Sequence, residues 1–314
     1  MPGGTIYKLN TGAQIPAMGF GTWQDAQAQE EAVLEAIKAG YRHIDTARVY
    51  GTEKAVGKAI GRAIRDCHVP REELFVTTKL WNNKHNPNDV AQALQDSLND
   101  LGLEYVDLFL MHYPVAWKQG DNLFPKDNGK PAVVDIDYVD TYSAMEKLLR
   151  TGKVKAIGIS NFSKSEMERL VDKASVVPAV HQLELHPWLQ QRLFVEWHKA
   201  KGIHITQYSP FGNQNEMYSG PNQLGKLLEE PVLNEIGKKY GKSSAQVALA
   251  WGITQGHSVL PKSKTVSRIK ANMDGDFKLS AGDMKEIETL NKGVRFNDSS
   301  KDFGYEFFAD LDGK

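Results

Sequence analysis

The sequence contains a single cysteine, Cys67, among its 314 residues. An internal disulfide is therefore excluded, and no second thiol is available to form the cysteine pair of a structural metal site. We interpret Cys67 as a buried or half-buried residue that takes no part in the chemistry of the protein.

No block of one charge is present either, because 38 basic residues balance 39 acidic ones without a Lys/Arg run or an acidic tail. This balance argues against nucleic acid or an anionic membrane as a partner and favours a small molecule. No segment approaches the roughly 18 apolar residues that span a bilayer, and the N-terminus lacks the pattern of a signal peptide. We expect a cytoplasmic protein without a membrane segment.

Two common signatures of dehydrogenases are also missing. The stretch "GFGTWQ" (19–24) lacks the third glycine of the dinucleotide fingerprint, so a Rossmann mode of cofactor binding is not supported. No H-E-x-x-H occurs, and we interpret His181 and His186 as rim or buried hydrogen-bonding residues. The sequence predicts no metal.

The dominant positive signal is alternation between short β-branched or apolar runs and amphipathic helical segments. Eight such units follow one another without a linker, beginning at "MGFGT" (18–22) and ending at "SVLPKS" (258–263) with its helix. Eight βα units predict a closed (β/α)8 TIM barrel of class α/β, with residues 1–314 forming one domain.

Segments outside the eight units are expected to decorate the barrel. The N-terminal "TIYKLNTGAQIPAM" (5–18) predicts a β-hairpin that turns at Asn10 to Gly12 and covers the bottom of the barrel. After the last unit, "SAGDMKEIETL" (280–290) predicts an extra helix. An irregular C-terminal tail (297–314) with four aromatic residues completes the chain.

Reactive side chains stand where three consecutive strands give way to their loops, which is where barrel active sites lie. They are Asp45 and Tyr50 after strand two, Lys79 at the end of strand three and His112 at the end of strand four. A lysine ammonium brings the proton of a tyrosine within reach of a reaction, and a carboxylate keeps that lysine charged. A neutral histidine can orient a substrate oxygen. The group suits protonation of a carbonyl oxygen.

The second half of the chain places amide, hydroxyl, aromatic and cationic side chains on the same rim. Ser160, Asn161 and Gln182 can hydrogen-bond a carboxamide, and Tyr208 offers a ring for stacking. "LPKSKTVSRIKAN" (260–272) supplies Lys262, Ser263 and Arg268 at a helix start, a setting that suits a phosphate. A carboxamide, a flat ring and a phosphate together describe a nicotinamide dinucleotide phosphate.

Four motifs carry a family resemblance across nearly the whole chain: "HIDTARVYGTEKAVG", "MHYP", "KAIGISNF" and "LPKSKTVSRIKAN". With these motifs in this order, the sequence resembles the aldo-keto reductases. The resemblance implies a barrel that binds NADPH in extended form and transfers hydride from C4 of the nicotinamide to an aldehyde or ketone, or back from the alcohol. It also implies a monomer.

Site residues follow from the resemblance position by position. Tyr50 becomes the general acid, Lys79 and Asp45 its tuning partners, and His112 the residue that orients the substrate. The implied cofactor residues are Thr22, Trp23, Asp45, Ser160, Asn161, Gln182, Tyr208, Ser209, Phe211, Asn213, Lys262, Ser263, Arg268 and Asn272. Many family members carry Glu where this chain has Ala271, which removes one expected adenine contact.

The substrate pocket is expected to have aromatic walls. Its residues are Trp23, Tyr50, Trp81, His112 and Tyr113, with Trp117, Phe303 and Tyr305 as further candidates. In overall look the sequence resembles the branch of fungal NADP-dependent glycerol dehydrogenases and glyceraldehyde reductases, and this resemblance implies a small polyol aldehyde as substrate.

Two other functions remain open from the residues alone. Lys79 at a barrel strand end could form a Schiff base, as in an aldolase, although an Asp45 partner would keep it charged. A regulatory binding module that retains the cofactor without turnover is the second alternative, since fold alone does not determine function.

Overall fold

The computed structural model describes residues 4–215 and 224–312. Twelve strands lie within these ranges: β1 (Ile6–Lys8), β2 (Gln14–Pro16), β3 (Gly19–Gly21), β4 (His43–Asp45), β5 (Phe75–Leu80), β6 (Val106–Met111), β7 (Lys126–Asp127), β8 (Lys130–Pro131), β9 (Val154–Ser160), β10 (Val180–Glu184), β11 (His204–Tyr208) and β12 (Ser258–Leu260). Eight of them, β3 to β6 and β9 to β12, pair in parallel in chain order. Met18, the residue before β3, forms a parallel bridge with Val259 of β12, so the first and last strands meet and the sheet closes on itself. The predicted (β/α)8 barrel is confirmed.

Helices surround the barrel, and the last, short one lies in the C-terminal tail. They are α1 (Gln29–Lys38), α2 (Glu53–Asp66), α3 (Val90–Leu101), α4 (Tyr138–Leu148), α5 (Lys164–Lys173), α6 (Arg192–Lys201), α7 (Pro231–Tyr240), α8 (Ser244–Thr254), α9 (Val266–Met273), α10 (Ala281–Glu288) and α11 (Ser300–Phe303). In α3, Val90, Leu94, Leu98 and Leu101 recur at helical spacing and are buried against the sheet. The helix ends at Gly102, whose φ of 63° is the left-handed value that glycine adopts readily.

The N-terminal hairpin covers the bottom of the barrel. β1 pairs antiparallel with β2, and the predicted turn contains Gly12 at φ 86°. Leu9 and Ile15 are buried in a cluster with Phe75 and Val180, which are the first residues of their barrel strands. The hairpin therefore closes the end of the barrel opposite to the strand C-termini, and this prediction is confirmed.

The C-terminal part contains the predicted extra helix, α10. The tail is irregular as expected, except for the short helix α11. The β7–β8 hairpin was not predicted, because its two-residue strands have no hydrophobic alternation. In the connection between β11 and α7, residues 216–223 lie outside the described residues.

Cys67 is half-buried just after α2, which agrees with the burial expected from the sequence. In the ranges that the structure describes, no helix is both long and apolar enough to cross a membrane.

Candidate active site

The four candidate catalytic residues meet at the C-terminal end of the barrel. Asp45 is the last residue of β4, and Tyr50 closes the one-turn 3₁₀ helix Arg48–Tyr50 that follows it. Lys79 is the penultimate residue of β5, and His112 comes directly after β6. Because these three strands are neighbours in a parallel sheet, their C-terminal ends bring the four side chains together.

The ammonium group of Lys79 lies at the centre of this group. Its Nζ is 2.6 Å from Oδ1 of Asp45, 3.0 Å from the carbonyl oxygen of Thr46 and 3.3 Å from Oη of Tyr50. Three acceptors match the three N–H bonds of a charged lysine. The side chain is 0 % exposed, so the surrounding protein, and not water, satisfies the ammonium.

Two opposing effects act on the charge of Lys79. Burial lowers the pKa of its ammonium, and the carboxylate of Asp45 opposes that shift. The second carboxylate oxygen of Asp45, Oδ2, accepts a hydrogen bond of 2.7 Å from Nε2 of Gln182. Asp45 is thus held from two sides, and it holds Lys79 against Tyr50.

His112 presents a neutral imidazole to the same space. Burial, assisted by the positive charge of Lys79, holds the pKa of His112 well below its usual value. Its ring stands edge-on to Tyr50 at 5.7 Å and to Trp81 at 5.2 Å between centroids. A neutral imidazole keeps one N–H donor, which is the form that can hydrogen-bond a carbonyl oxygen.

Asn161 connects the catalytic group to the residues predicted to bind a carboxamide. It adopts φ 63°, and its Nδ2 donates to the carbonyl oxygen of His112 at 3.0 Å and to Oγ of Ser160 at 3.1 Å. Its Oδ1 accepts a hydrogen bond of 2.6 Å from Oη of Tyr208, and its backbone N–H donates to the carbonyl oxygen of Gln182. These four residues, from β9 to β11 and the loop after β9, form one continuous network.

The predicted phosphate residues lie along the same rim, after β12. Lys262 forms an ion pair with Asp25, a residue that the sequence did not single out. Oγ of Ser263 accepts a hydrogen bond of 3.1 Å from the backbone N–H of Thr265, just before α9. Arg268 is exposed in the first turn of α9, whereas Asn272 is buried near its end.

The remaining predicted cofactor residues occupy loops around the opening. Thr22 is buried, and its Oγ1 donates to the carbonyl oxygen of Asp45 at 3.0 Å, whereas the next residue, Trp23, is 39 % exposed at the rim. Ser209 adopts φ 50°, and its Oγ accepts a hydrogen bond of 3.2 Å from Nδ2 of Asn297.

Farther along the loop after β11, Phe211 is half-buried. Nδ2 of Asn213 donates to the carbonyl oxygen of Gly225 at 2.7 Å, and its Oδ1 accepts from the N–H of Leu227 at 3.2 Å. Asn213 therefore fixes this loop from within, and its expected contact with a pyrophosphate stays a prediction.

Aromatic rings wall one side of the opening. Besides His112, Trp81 contacts four aromatic rings at centroid distances of 5.5 to 6.0 Å, which are those of Tyr113, Trp117, Phe124 and Phe303. Trp117 donates from Nε1 to the carbonyl oxygen of Phe303 at 3.2 Å. Trp117 and Phe303 thus both belong to the wall. Tyr305 packs against the same cluster of aromatic residues, and its hydroxyl donates a hydrogen bond to Glu166 of α5.

The C-terminal tail is anchored by Glu184, a residue that the sequence did not identify. This fully buried carboxylate ends β10 and accepts hydrogen bonds from the backbone N–H groups of Phe296 at 2.9 Å and Asn297 at 2.8 Å. His186 lies 2.9 Å from the same carboxylate.

The two histidines singled out from the sequence are buried hydrogen-bonding residues. Nε2 of His186 is paired with Glu184, and Nε2 of His181 accepts a hydrogen bond of 3.1 Å from the N–H of Phe162. Among the described residues, no three His, Cys, Asp or Glu side chains are grouped to hold a metal ion.

Known proteins provide a direct comparison with this geometry. The model of the aldo/keto reductase family matches residues 17–292. An uncharacterized oxidoreductase of Schizosaccharomyces pombe is 45 % identical over 298 residues, which cover 94 % of this chain and 91 % of that protein. Aldo-keto reductase family 1 member A1 of Xenopus tropicalis is 46 % identical over 92 % of this chain and 89 % of its own. The structure of the aldose reductase from Schistosoma japonicum superposes with a TM-score of 0.89 at 35 % identity, and the match covers 97 % of this chain and 98 % of that one.

Proposed function

The chain belongs to the aldo/keto reductase family, and we propose that it reduces aldehydes and ketones to alcohols with NADPH, and oxidises the alcohols in reverse, as a cytoplasmic monomer. The observation that carries this proposal is the hydrogen bond between Nζ of Lys79 and Oη of Tyr50, made while Asp45 pairs with the same ammonium. A tyrosine beside a fixed cation is suited to deliver a proton to a developing alkoxide.

Each catalytic side chain has a separate task. Bound NADPH would supply the hydride from C4 of its nicotinamide. The N–H of neutral His112 holds the carbonyl oxygen of the substrate near Tyr50, whose hydroxyl gives its proton to that oxygen. Lys79 stabilises the resulting phenolate, and Asp45 keeps Lys79 charged and in place. In the reverse direction the phenolate of Tyr50 accepts the proton of the alcohol.

The cofactor residues fit a nicotinamide dinucleotide phosphate by their chemistry. The network of Ser160, Asn161 and Gln182 offers amide and hydroxyl groups for a carboxamide, beside the ring of Tyr208. At the other end of the rim, Lys262, Ser263 and Arg268 would bind the 2′-phosphate through charge-assisted hydrogen bonds. These cations favour NADPH over NADH, although Ala271 offers no side-chain contact to adenine.

For the substrate, we propose small polyol aldehydes such as glyceraldehyde. The similar structure is named as an aldose reductase, and aldoses are polyhydroxylated aldehydes. In this chain, Phe303 of the tail packs against Trp117 at 4.9 Å and Tyr113 at 4.9 Å between centroids, so it narrows the opening. A narrow pocket with Tyr50 and His112 at its base suits a short substrate.

An aldolase mechanism through Lys79 has less support. Schiff-base formation needs a neutral, accessible amine, whereas Lys79 is fully buried and donates to three oxygen atoms.

The test measures loss of NADPH absorbance with a panel of aldehydes led by glyceraldehyde, with NADH run in parallel. We expect oxidation of NADPH that falls by roughly 10²- to 10⁴-fold in Tyr50→Phe while NADPH binding persists. Tyr142→Phe is the matched control, because Tyr142 is a buried tyrosine of α4. Wild-type turnover in Tyr50→Phe would refute the assignment of Tyr50. Tight NADPH binding without turnover of any aldehyde would favour a regulatory role instead.

A further inference from the structure

A carboxylate already occupies the cationic loop that follows β12. Oδ2 of Asp25 pairs with Nζ of Lys262, and Oδ1 lies 3.1 Å from Nζ of Lys264. Asp25 belongs to the turn after β3, on the neighbouring side of the closed barrel. Its side chain is 33 % exposed and that of Lys262 is 26 % exposed, so the pair is partly shielded from water.

The turn that carries Asp25 is fixed by its own contacts. Gln24 and Asp25 both adopt left-handed backbone angles, with φ 67° and 55°, which are unfavourable for residues other than glycine. Nε2 of Gln29 donates to the carbonyl oxygen of Gln24 at 2.5 Å, and Nδ2 of Asn215 donates to its Oε1 at 3.0 Å. These contacts hold Asp25 toward the two lysines. Hydrogen bonds from Lys262 and Lys264 lower the pKa of Asp25, so its carboxylate is ionised at neutral pH.

We infer that Asp25 is a specificity-determining residue that competes with the 2′-phosphate of the dinucleotide for Lys262 and Lys264, and thereby reduces the preference for NADPH over NADH. The inference rests on the proposed function, which assigns Lys262 to that phosphate.

The physical reason is competition between two anions for the same donors. A phosphate monoester carries close to two negative charges at neutral pH. On reaching Lys262 it must either displace the carboxylate of Asp25 or lie beside it, where like charges repel. NADH has a hydroxyl in place of this phosphate and does not need to separate the ion pair. Separating this ion pair, or placing a phosphate beside Asp25, therefore weakens the binding of NADPH and not that of NADH.

Binding measurements on the intact protein test this inference. Isothermal titration would give dissociation constants for NADPH, NADH and adenosine 2′,5′-bisphosphate with the wild type, Asp25→Asn and Asp25→Ser. We expect both variants to bind NADPH and the bisphosphate about fivefold more tightly, the upper range for a partly exposed charge pair. The dissociation constant of NADH should change by less than about twofold. In a Lys262→Ala background, Asp25→Asn should have a smaller effect, because one of its two cation partners is gone.

Asp274→Asn is the matched control. It removes the same charge at the other end of α9, about 12 Å along an eight-residue helix. It should leave all three dissociation constants unchanged. Unchanged or weaker NADPH binding in folded Asp25→Asn and Asp25→Ser would overturn the inference, as would equal tightening of NADH. Failure of the proposed function would show separately, as a wild type that oxidises no NADPH with any aldehyde.

Discussion

Nζ of Lys79 lies 2.6 Å from Oδ1 of Asp45, and the two side chains are only 0 % and 4 % exposed. A buried ion pair of this kind depends on both partners, because removing one leaves the other charge buried without compensation. Lys79 also donates a hydrogen bond to Tyr50, so the charge of Lys79, which Asp45 stabilises, acts directly on the hydroxyl that is proposed to transfer a proton.

Asp45→Asn should therefore impair catalysis through Lys79. With the carboxylate gone, only the weaker effect of the Glu53 charge opposes burial, so the pKa of Lys79 falls further. Lys79 then loses its charge at a lower pH, and the alkaline limb of the pH profile of kcat should move to lower pH. We expect kcat to fall by roughly 10²-fold or more. Steady-state kinetics between pH 6 and 10 would measure both effects.

Asp107→Asn provides the control for Asp45→Asn. Asp107 is also a mostly buried carboxylate with cationic partners, Arg71 at 2.8 Å and Lys155 at 3.0 Å, but it lies near the N-terminal end of β6. Its loss should reduce stability and leave the pH profile in place. Identical pH profiles for wild type and Asp45→Asn would contradict the assigned role of Asp45.

The double variant Lys262→Ala/Arg268→Ala should discriminate between the two dinucleotides. Both residues are expected to contact only the 2′-phosphate, so the dissociation constant of NADPH should rise by roughly 30-fold or more and that of NADH by less than about threefold. Fluorescence titration would measure both. Lys270→Ala is the control, because Lys270 is an exposed lysine on the same helix as Arg268. Equal losses for the two dinucleotides would show that this loop does not bind the phosphate.

Phe303→Ala should widen the substrate pocket. The ring of Phe303 contacts Trp81, Tyr113 and Trp117, and its removal takes one wall from the opening while Tyr50 and His112 keep their positions. We expect KM for glyceraldehyde to rise about fivefold with little change in kcat, as one aromatic contact is lost. Phe277→Ala, in a separate hydrophobic cluster, should leave KM unchanged. A fall in kcat at constant KM would place Phe303 in another role.

Buried histidines should make the fold sensitive to acid. Burial lowers the pKa of His43 and His198 to about 4 and of His85 and His204 to about 3, and it holds those of His112, His181 and His257 well below normal. Below pH about 6.5 the unfolded chain binds protons that the folded chain does not, so the free energy of unfolding falls as pH falls from there toward 4. Each histidine contributes up to about 1.4 kcal/mol per pH unit.

Urea unfolding at a series of pH values would measure this slope. His85 is fully buried, so His85→Gln should reduce the number of protons taken up on unfolding by up to one, and the slope should fall accordingly. His68→Gln is the control, because His68 is exposed. A free energy of unfolding that is constant between pH 7 and 5 would contradict the prediction.

Periodicity and strand-end position were sufficient for the barrel and for the place of its reactive end. Apolar residues at helical spacing in α3, and short β-branched runs such as "FVTTKL" in β5, encode local structure directly. Since parallel strands align their C-terminal ends, Asp45, Lys79 and His112 could be placed together from the sequence. The hydrogen bonds among them depend on side-chain geometry and could not.

Residues that act through distant partners escaped prediction. Glu184 binds backbone groups 112 and 113 positions away, and Asp25 pairs with Lys262 across the closure of the barrel. Neither residue belongs to a local motif, and its partners are far away in the sequence and come close only in the folded chain. Phe124 was missed for the same reason, because its contact with Trp81 depends on the course of the loop after β6.

Glu184 attaches the tail to the barrel through main-chain groups. Its carboxylate accepts hydrogen bonds from the main-chain N–H groups of Phe296 and Asn297, so the attachment does not depend on the side chains at those positions. Beyond this attachment, Phe303 of the tail forms part of the aromatic wall, whereas Asp45 and Lys79 lie on the barrel strands β4 and β5. A substitution in the tail can therefore change the wall of the opening while the strands that carry Asp45 and Lys79 stay in place.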